Sequence, residues 1–160
     1  MTVSIDKLQT LEGHVLPGGR ITIEPHESFI GEEALRAEPG AHGGVHPAWF
    51  VIASLRCMGI SVDELCALAF QEEGDVLLFG NCRVEQHQPL REGVTYLASA
   101  HIGEVSSRTT RDGARLDSVE VIVRLRVQEP SGRDVGASAE VEARAGEIVS
   151  TYLFKRGSTT

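Results

Sequence analysis

The chain is poor in cysteine: Cys57, Cys66 and Cys82 are the only three in 160 residues, and they show no CxxC or paired-ligand spacing. That argues against a disulfide framework and a metal site, and the odd count fits reduced thiols in a cytosolic protein. Basic residues are also scarce. With 15 Lys+Arg against 23 Asp+Glu the formal charge is −8, which argues against bulk electrostatic binding to nucleic acid or to an anionic membrane. No apolar run approaches the roughly 20 residues of a membrane span. Asp6, Lys7 and Glu12 interrupt the N-terminus where a signal peptide needs its apolar stretch. Internal repeats, low-complexity linkers and charge blocks are missing too. The expectation is a soluble cytoplasmic protein forming one domain over residues 1–160, with a core over about 20–156 and dispensable tails (the first dozen residues and Gly157 to Thr160).

What is present reads as one strand, a helical turn or two, one buried helix with a shorter satellite, and then about four long antiparallel strands. Arg20 to Glu24 alternates polar and β-branched residues after Pro17-Gly18-Gly19, which predicts a short strand introduced by a turn. A helical turn or two is predicted in Glu27 to Arg36, with Phe29, Ile30, Ala34 and Leu35 on one face. The stretch Ala41-His42-Gly43-Gly44-Val45-His46-Pro47 leads into Ala48-Trp49-Phe50-Val51-Ile52-Ala53-Ser54-Leu55. Pro47 suits the first position of a helix and Gly59 the position just past its end. Only Ser54 and Arg56 are clearly polar between them, so this helix is expected to be buried on most of its surface. Ser61-Val62-Asp63-Glu64 is a capping-box pattern opening a shorter helix whose inward face is Leu65, Cys66, Leu68, Ala69 and Phe70.

From Asp75 the period changes to two. Val119, Val121, Val123, Leu125 and Val127 occupy alternate positions, with Ser118, Glu120, Arg124 and Arg126 between them, the mark of a strand with one buried face. Asp112-Gly113 and Pro130-Ser131-Gly132 read as turns flanking this strand, followed by strands at Val135 to Ala143 and Ile148 to Lys155. Strands without intervening helices disfavour a parallel sheet. The order favours α+β, a curved antiparallel sheet packed around a central helix.

Three places in this layout carry a resemblance. Gly44-Val45-His46-Pro47-Ala48-Trp49-Phe50, His87-Gln88-Pro89-Leu90-Arg91-Glu92-Gly93-Val94-Thr95-Tyr96, and the closing hairpin-linked strands resemble the hotdog fold, and within it the MaoC-like hydratase/dehydratase group. The resemblance spans roughly Arg20 to Arg156. It implies an acyl thioester of coenzyme A or acyl carrier protein as substrate, no cofactor, and a homodimer or a heterodimer with another hotdog subunit. The thioester carbonyl would rest at the N-terminus of the central helix, with Gly43 and Gly44 allowing close approach. Trp49 and Tyr96 are candidate substrate contacts; the alternatives are core packing for Trp49, an aromatic in the first turn of a buried helix, and for Tyr96 a strand-start position straddling core and solvent.

The catalytic candidates follow from the same resemblance. MaoC-like hydratases carry an Asp-x-Asn-Pro-x-His loop ahead of the helix, and the corresponding Ile21-Thr22-Ile23-Glu24-Pro25-His26 keeps only the Pro and the His. In the β-hydroxyacyl carrier protein dehydratases a loop histidine works with an acid on the helix. His46 and His42 are the histidines placed for that acid/base role, yet no carboxylate lies between Ala48 and Gly59, leaving Glu32, Glu33, Glu38 and Asp63 as unranked partners. For both histidines the alternative is helix capping. Ser54 lacks a nucleophile elbow, and His87 and His101 read as structural. Arg83, Arg91, Arg108 and Arg111 are candidate phosphate contacts or simply solvated. A thioesterase, and a non-catalytic subunit that completes a partner's tunnel, are the rival functions.

Overall fold

The computed structural model describes residues 3–40, 43–128 and 143–157. The chain order is α1 (Ile5–Gln9), β1 (Val15–Thr22), α2 (Pro25–Leu35), α3 (Ala48–Cys57), α4 (Val62–Leu68), β2 (Val76–Gln86), β3 (Thr95–Thr109), β4 (Arg115–Val127) and β5 (Arg144–Lys155). The strands form one antiparallel sheet in the order β1-β3-β4-β5-β2. The sheet is irregular in register at Leu16/Gly19, Phe79/Asn81 and Ile102/Val105, and such bulges bend a sheet and increase its twist. The helix α3 packs against this sheet, touching β1, β2, β3 and β5.

The twofold pattern of β4 is realised as expected. Val119, Val121, Val123 and Leu125 are buried, and Arg124 and Arg126 are exposed. The Asp112-Gly113 turn joins β3 to β4, with Gly113 at φ +82° and its N–H donating to the Thr110 carbonyl. Ser61 and Glu64 cap α4 reciprocally at 3.1 and 2.7 Å. Helix α3 ends at the expected glycine, Gly59 at φ +86°. A Cβ on Gly59 would lie 2.5 Å from the Gly18 carbonyl oxygen, so only glycine lets the helix exit cross β1 this closely. Burial of α3 is narrower than expected. Trp49, Phe50, Ala53, Ser54 and Cys57 are buried, Val51 and Ile52 are half-buried and Leu55 is exposed, because a single sheet covers one side of a helix.

Two expectations are corrected. The first strand starts earlier, at Val15, and passes through Pro17-Gly18-Gly19 instead of starting after a turn there. Gly18 at φ +68° forms a bulge whose N–H donates to the Met58 carbonyl at 3.2 Å, and Glu24 caps α2 instead of ending the strand. The first dozen residues, expected as a tail, hold α1, and Val3, Leu8 and Leu11 are buried in the core. Phe29, Ile30, Ala34 and Leu35 of α2 share one face as expected, and that face is exposed, for a reason that lies in its contact with α3, described below. The turn expected at Pro130-Ser131-Gly132 and most of the strand expected from Val135 lie outside the described residues.

The chain's far ends are tied together by buried ions. The Arg156 guanidinium donates to Asp117 at 2.7 Å, to Asp75 at 2.8 Å, and to the carbonyls of Ala69 and Phe70. Asp117 also accepts two bonds from Arg115, whose remaining nitrogen reaches the Val3 carbonyl at 2.6 Å. Both carboxyls are held below the ordinary range. Burial alone would raise them, but hydrogen bonds and the charges of the arginines outweigh it. A carboxyl depressed in the folded state contributes stability that is full above its unfolded value, about 4, and is lost as pH falls through the folded value. Urea melts are therefore expected to give constant stability from pH 7 to about 5, falling from about pH 4 downward. Arg156→Met is expected to lower stability by about 3 kcal/mol or more at pH 7, because it strands buried carboxylates.

Candidate functional site

The site forms where α2, the linker after it and the segment before β3 meet the start of α3. Pro25 occupies the first turn of α2, and Glu27 reaches back to the Glu24 N–H at 3.2 Å. The Glu27 carboxyl is held low by that bond and by Arg56, which it meets at 3.0 Å. Arg56 in turn lies over the Trp49 ring at 5.5 Å. A Cβ on Gly31 would stand 3.3 Å from the indole nitrogen of Trp49. Gly31 thus lets α2 lie close against α3, with its polar face inward. Ser28 and Glu32 are buried, while Phe29, Ile30 and Leu35 are 60, 62 and 50% exposed.

The end of α2 turns the chain back on itself. Arg36 adopts a left-handed conformation and the Ala37 N–H returns to the Glu32 carbonyl at 2.9 Å. Gly40 then comes back alongside Glu32 and donates its N–H to the Glu32 Oε1 at 3.4 Å. On the other side the Val45 N–H donates to the Leu90 carbonyl at 2.8 Å. A Cβ on Gly44 would lie 2.3 Å from that same oxygen, so Gly44 is required by the close approach of the two backbones. The Arg91 N–H donates to the Tyr96 hydroxyl at 2.9 Å. Between these walls lies an open hollow of about 480 Å³, lined by Glu32, Pro39, Gly40, Gly43, Gly44, Arg91 and Glu92.

The expected residues sort themselves around this hollow. Gly43 and Gly44 line it. His46 is half-buried, two residues beyond, and its Nδ1 accepts from the Ala48 N–H at 3.1 Å. In the neutral imidazole that assigns the ring proton to Nε2. The Trp49 and Phe50 N–H groups donate to the carbonyls of His46 and Pro47, so the first turn of α3 is capped by its own chain. His42 lies outside the described residues. Trp49 and Tyr96 are buried and outside the lining, and burial raises the Tyr96 hydroxyl above the ordinary phenol value. His26 is exposed in the first turn of α2. Ser54 donates its hydroxyl to the Val51 carbonyl at 2.7 Å. Burial raises the Cys57 thiol, which disfavours a thiolate there.

Of the four carboxylates left unranked, Glu33, Glu38 and Asp63 are exposed, and Glu32 alone is buried and lines the hollow. The pattern that singles it out is legible in hindsight: Ser28, Gly31 and Glu32 share a helix face at i, i+3 and i+4, and small residues on a face mark close packing. Among the described residues no three His, Cys, Asp or Glu side chains converge as a metal site. None of the described helices is long and apolar enough to cross a membrane.

No protein-family model matches the sequence. No curated protein matches it either. Solved structures do match. A chain of the ChsH1-ChsH2 complex from Mycobacterium tuberculosis superposes with a TM-score of 0.65 at 12% identity, covering 98% of this chain and 91% of that one. A hot-dog-like protein from Thermanaerovibrio acidaminovorans superposes at 0.57 and 10% identity, covering 98% and 90%. The chain has the hotdog fold. At such identities the likeness is one of fold.

His46 is expected to act as a cap whatever else it does. His46→Ala should lower stability by about 1 kcal/mol, with most of it recovered in His46→Asn, which keeps a side-chain acceptor; thermal melts of the three proteins check this.

Proposed function

We propose that this hotdog chain acts on acyl thioesters of coenzyme A or acyl carrier protein, adding or removing water across the α,β bond as MaoC-like hydratases and dehydratases do. The observation that carries the reading is the hollow beside the start of α3, with two glycines in its wall and a buried carboxylate beside them. Its volume falls in the range of about 300–1,000 Å³ usual for small-molecule sites. The thioester carbonyl is placed against the Gly43-Gly44 backbone, where the Gly44 N–H has no acceptor among the described residues. A donor there stabilises the enolate that forms when the α,β bond is attacked. His46, half-buried two residues past Gly44, is the described histidine of this segment placed for an acid/base role beside a carboxylate, and the exposed Arg91 in the lining suits the carrier's phosphates.

A second reading, a hotdog subunit that completes a partner's site, draws support from the first turn of α3. Its N–H groups bond within the chain, so a carbonyl has fewer helix donors to meet. The two readings separate in one assay. The purified protein is expected to change the double-bond absorbance of enoyl thioesters without releasing free thiol. Thiol release would replace the hydratase reading with a thioesterase, and inertness that ends when a second hotdog subunit is added would favour the subunit reading.

Pairing of two sheets belongs to the same proposal. Strand β2 is an edge of the sheet, and Val76, Leu78, Phe79 and Val84 on it are 36–51% exposed. A long apolar edge is a template for another strand. Light scattering is expected to give twice the chain mass, and Leu78→Lys to shift the protein toward monomer.

A further inference from the structure

We propose that Glu32 is the catalytic base of the hollow, the carboxylate that takes a proton from water and returns it to the substrate. This rests on the thioester reading above. The protein contains an internal standard for how it treats buried carboxylates: Asp117 and Asp75 are each paired with arginine and surrounded by donors. Glu32 is 9% exposed, yet its one bond among the described residues is the long contact from the Gly40 N–H at 3.4 Å. No ion pair among the described residues includes it, although Arg91 lines the same space. No buried side-chain oxygen among the described residues lacks a hydrogen-bond partner, so the Glu32 oxygen without one opens on the hollow, and a packing role would be filled better by an apolar side chain. Phe29 and Ile30, three and two residues earlier, stand in solvent instead. A sequence that directs a glutamate inward and a phenylalanine outward on one helix retains that glutamate for its chemistry.

The step balances on one carboxylate. As the water oxygen bonds to the β-carbon, Glu32 takes one water proton and the electron pair of the double bond moves to the α-carbon, shared with the thioester carbonyl. The Glu32 carboxyl then gives a proton to the α-carbon. The product is the β-hydroxyacyl thioester and Glu32 is again a carboxylate; dehydration is the reverse. One group on one side of the substrate delivers both pieces of water to the same face.

The test compares wild type, Glu32→Gln and Glu32→Asp on an enoyl thioester in H2O and D2O. Glu32→Gln keeps the side-chain volume and an oxygen for the Gly40 N–H. Its kcat is expected to fall about 100-fold or more, with KM and the affinity for a saturated acyl thioester within threefold of wild type. Glu32→Asp, which keeps a carboxylate on a shorter arm, is expected to recover part of kcat and the wild-type stereochemistry. Wild type in D2O is expected to give syn addition. An active wild type with Glu32→Gln within threefold in kcat, or with anti addition, overturns the assignment and leaves the thioester reading standing. A wild type inert on every thioester, alone and with added hotdog subunits, overturns both. Should Glu32→Gln fail to fold, Glu32→Asp decides: a folded variant with unchanged kcat overturns the assignment.

Discussion

The structure depends on enclosing one apolar helix. Helix α3 carries few polar side chains, and burial of such a surface is worth roughly 25 cal/mol per Å². A flat sheet meets a helix along a line, so the sheet must bend. Register irregularities in β1, β2 and β3 accompany that curvature, and Gly18 and Gly59 let the helix exit pass within backbone contact of β1. The hollow follows from the same constraint. The chain must reach α3 from α2 on one side and pass beneath it through Pro89 to Arg91 on the other, and the space between those two passages is where the glycines and Glu32 meet.

Buried carboxylates show how the fold treats charge in different places. At one end, Asp75, Asp117, Arg115 and Arg156 satisfy one another and tie α4, β4, the end of β5 and the N-terminal segment together. At the other, Glu32 is held with a single long backbone contact. The first arrangement compensates desolvation with opposite charge and hydrogen bonds. The second leaves a carboxylate facing the hollow without an ion-pair partner among the described residues.

Features set by neighbours in sequence were readable in advance. The period of β4, the Asp112-Gly113 turn, the reciprocal Ser61/Glu64 cap and the Gly59 stop are each local, decided by residues within a few positions of one another. The α+β layout, a curved antiparallel sheet around a helix, followed from their order. Gly43 and Gly44 were likewise visible as a loop before an apolar helix.

What only the tertiary structure decided are the orientations set by distant partners. Nothing near Phe29 indicates that it faces water; Gly31 meeting the Trp49 ring turns α2 over. The role of the first dozen residues depends on Arg115, more than a hundred positions away, reaching the Val3 carbonyl. Four carboxylates were equivalent by residue type, and the return of Gly40 along α2 separates Glu32 from Glu33, Glu38 and Asp63. Periodicity records which positions share a face, and local chemistry records where elements start and stop. Which face meets the core, and which carboxylate faces the hollow, is decided by packing between segments remote in sequence.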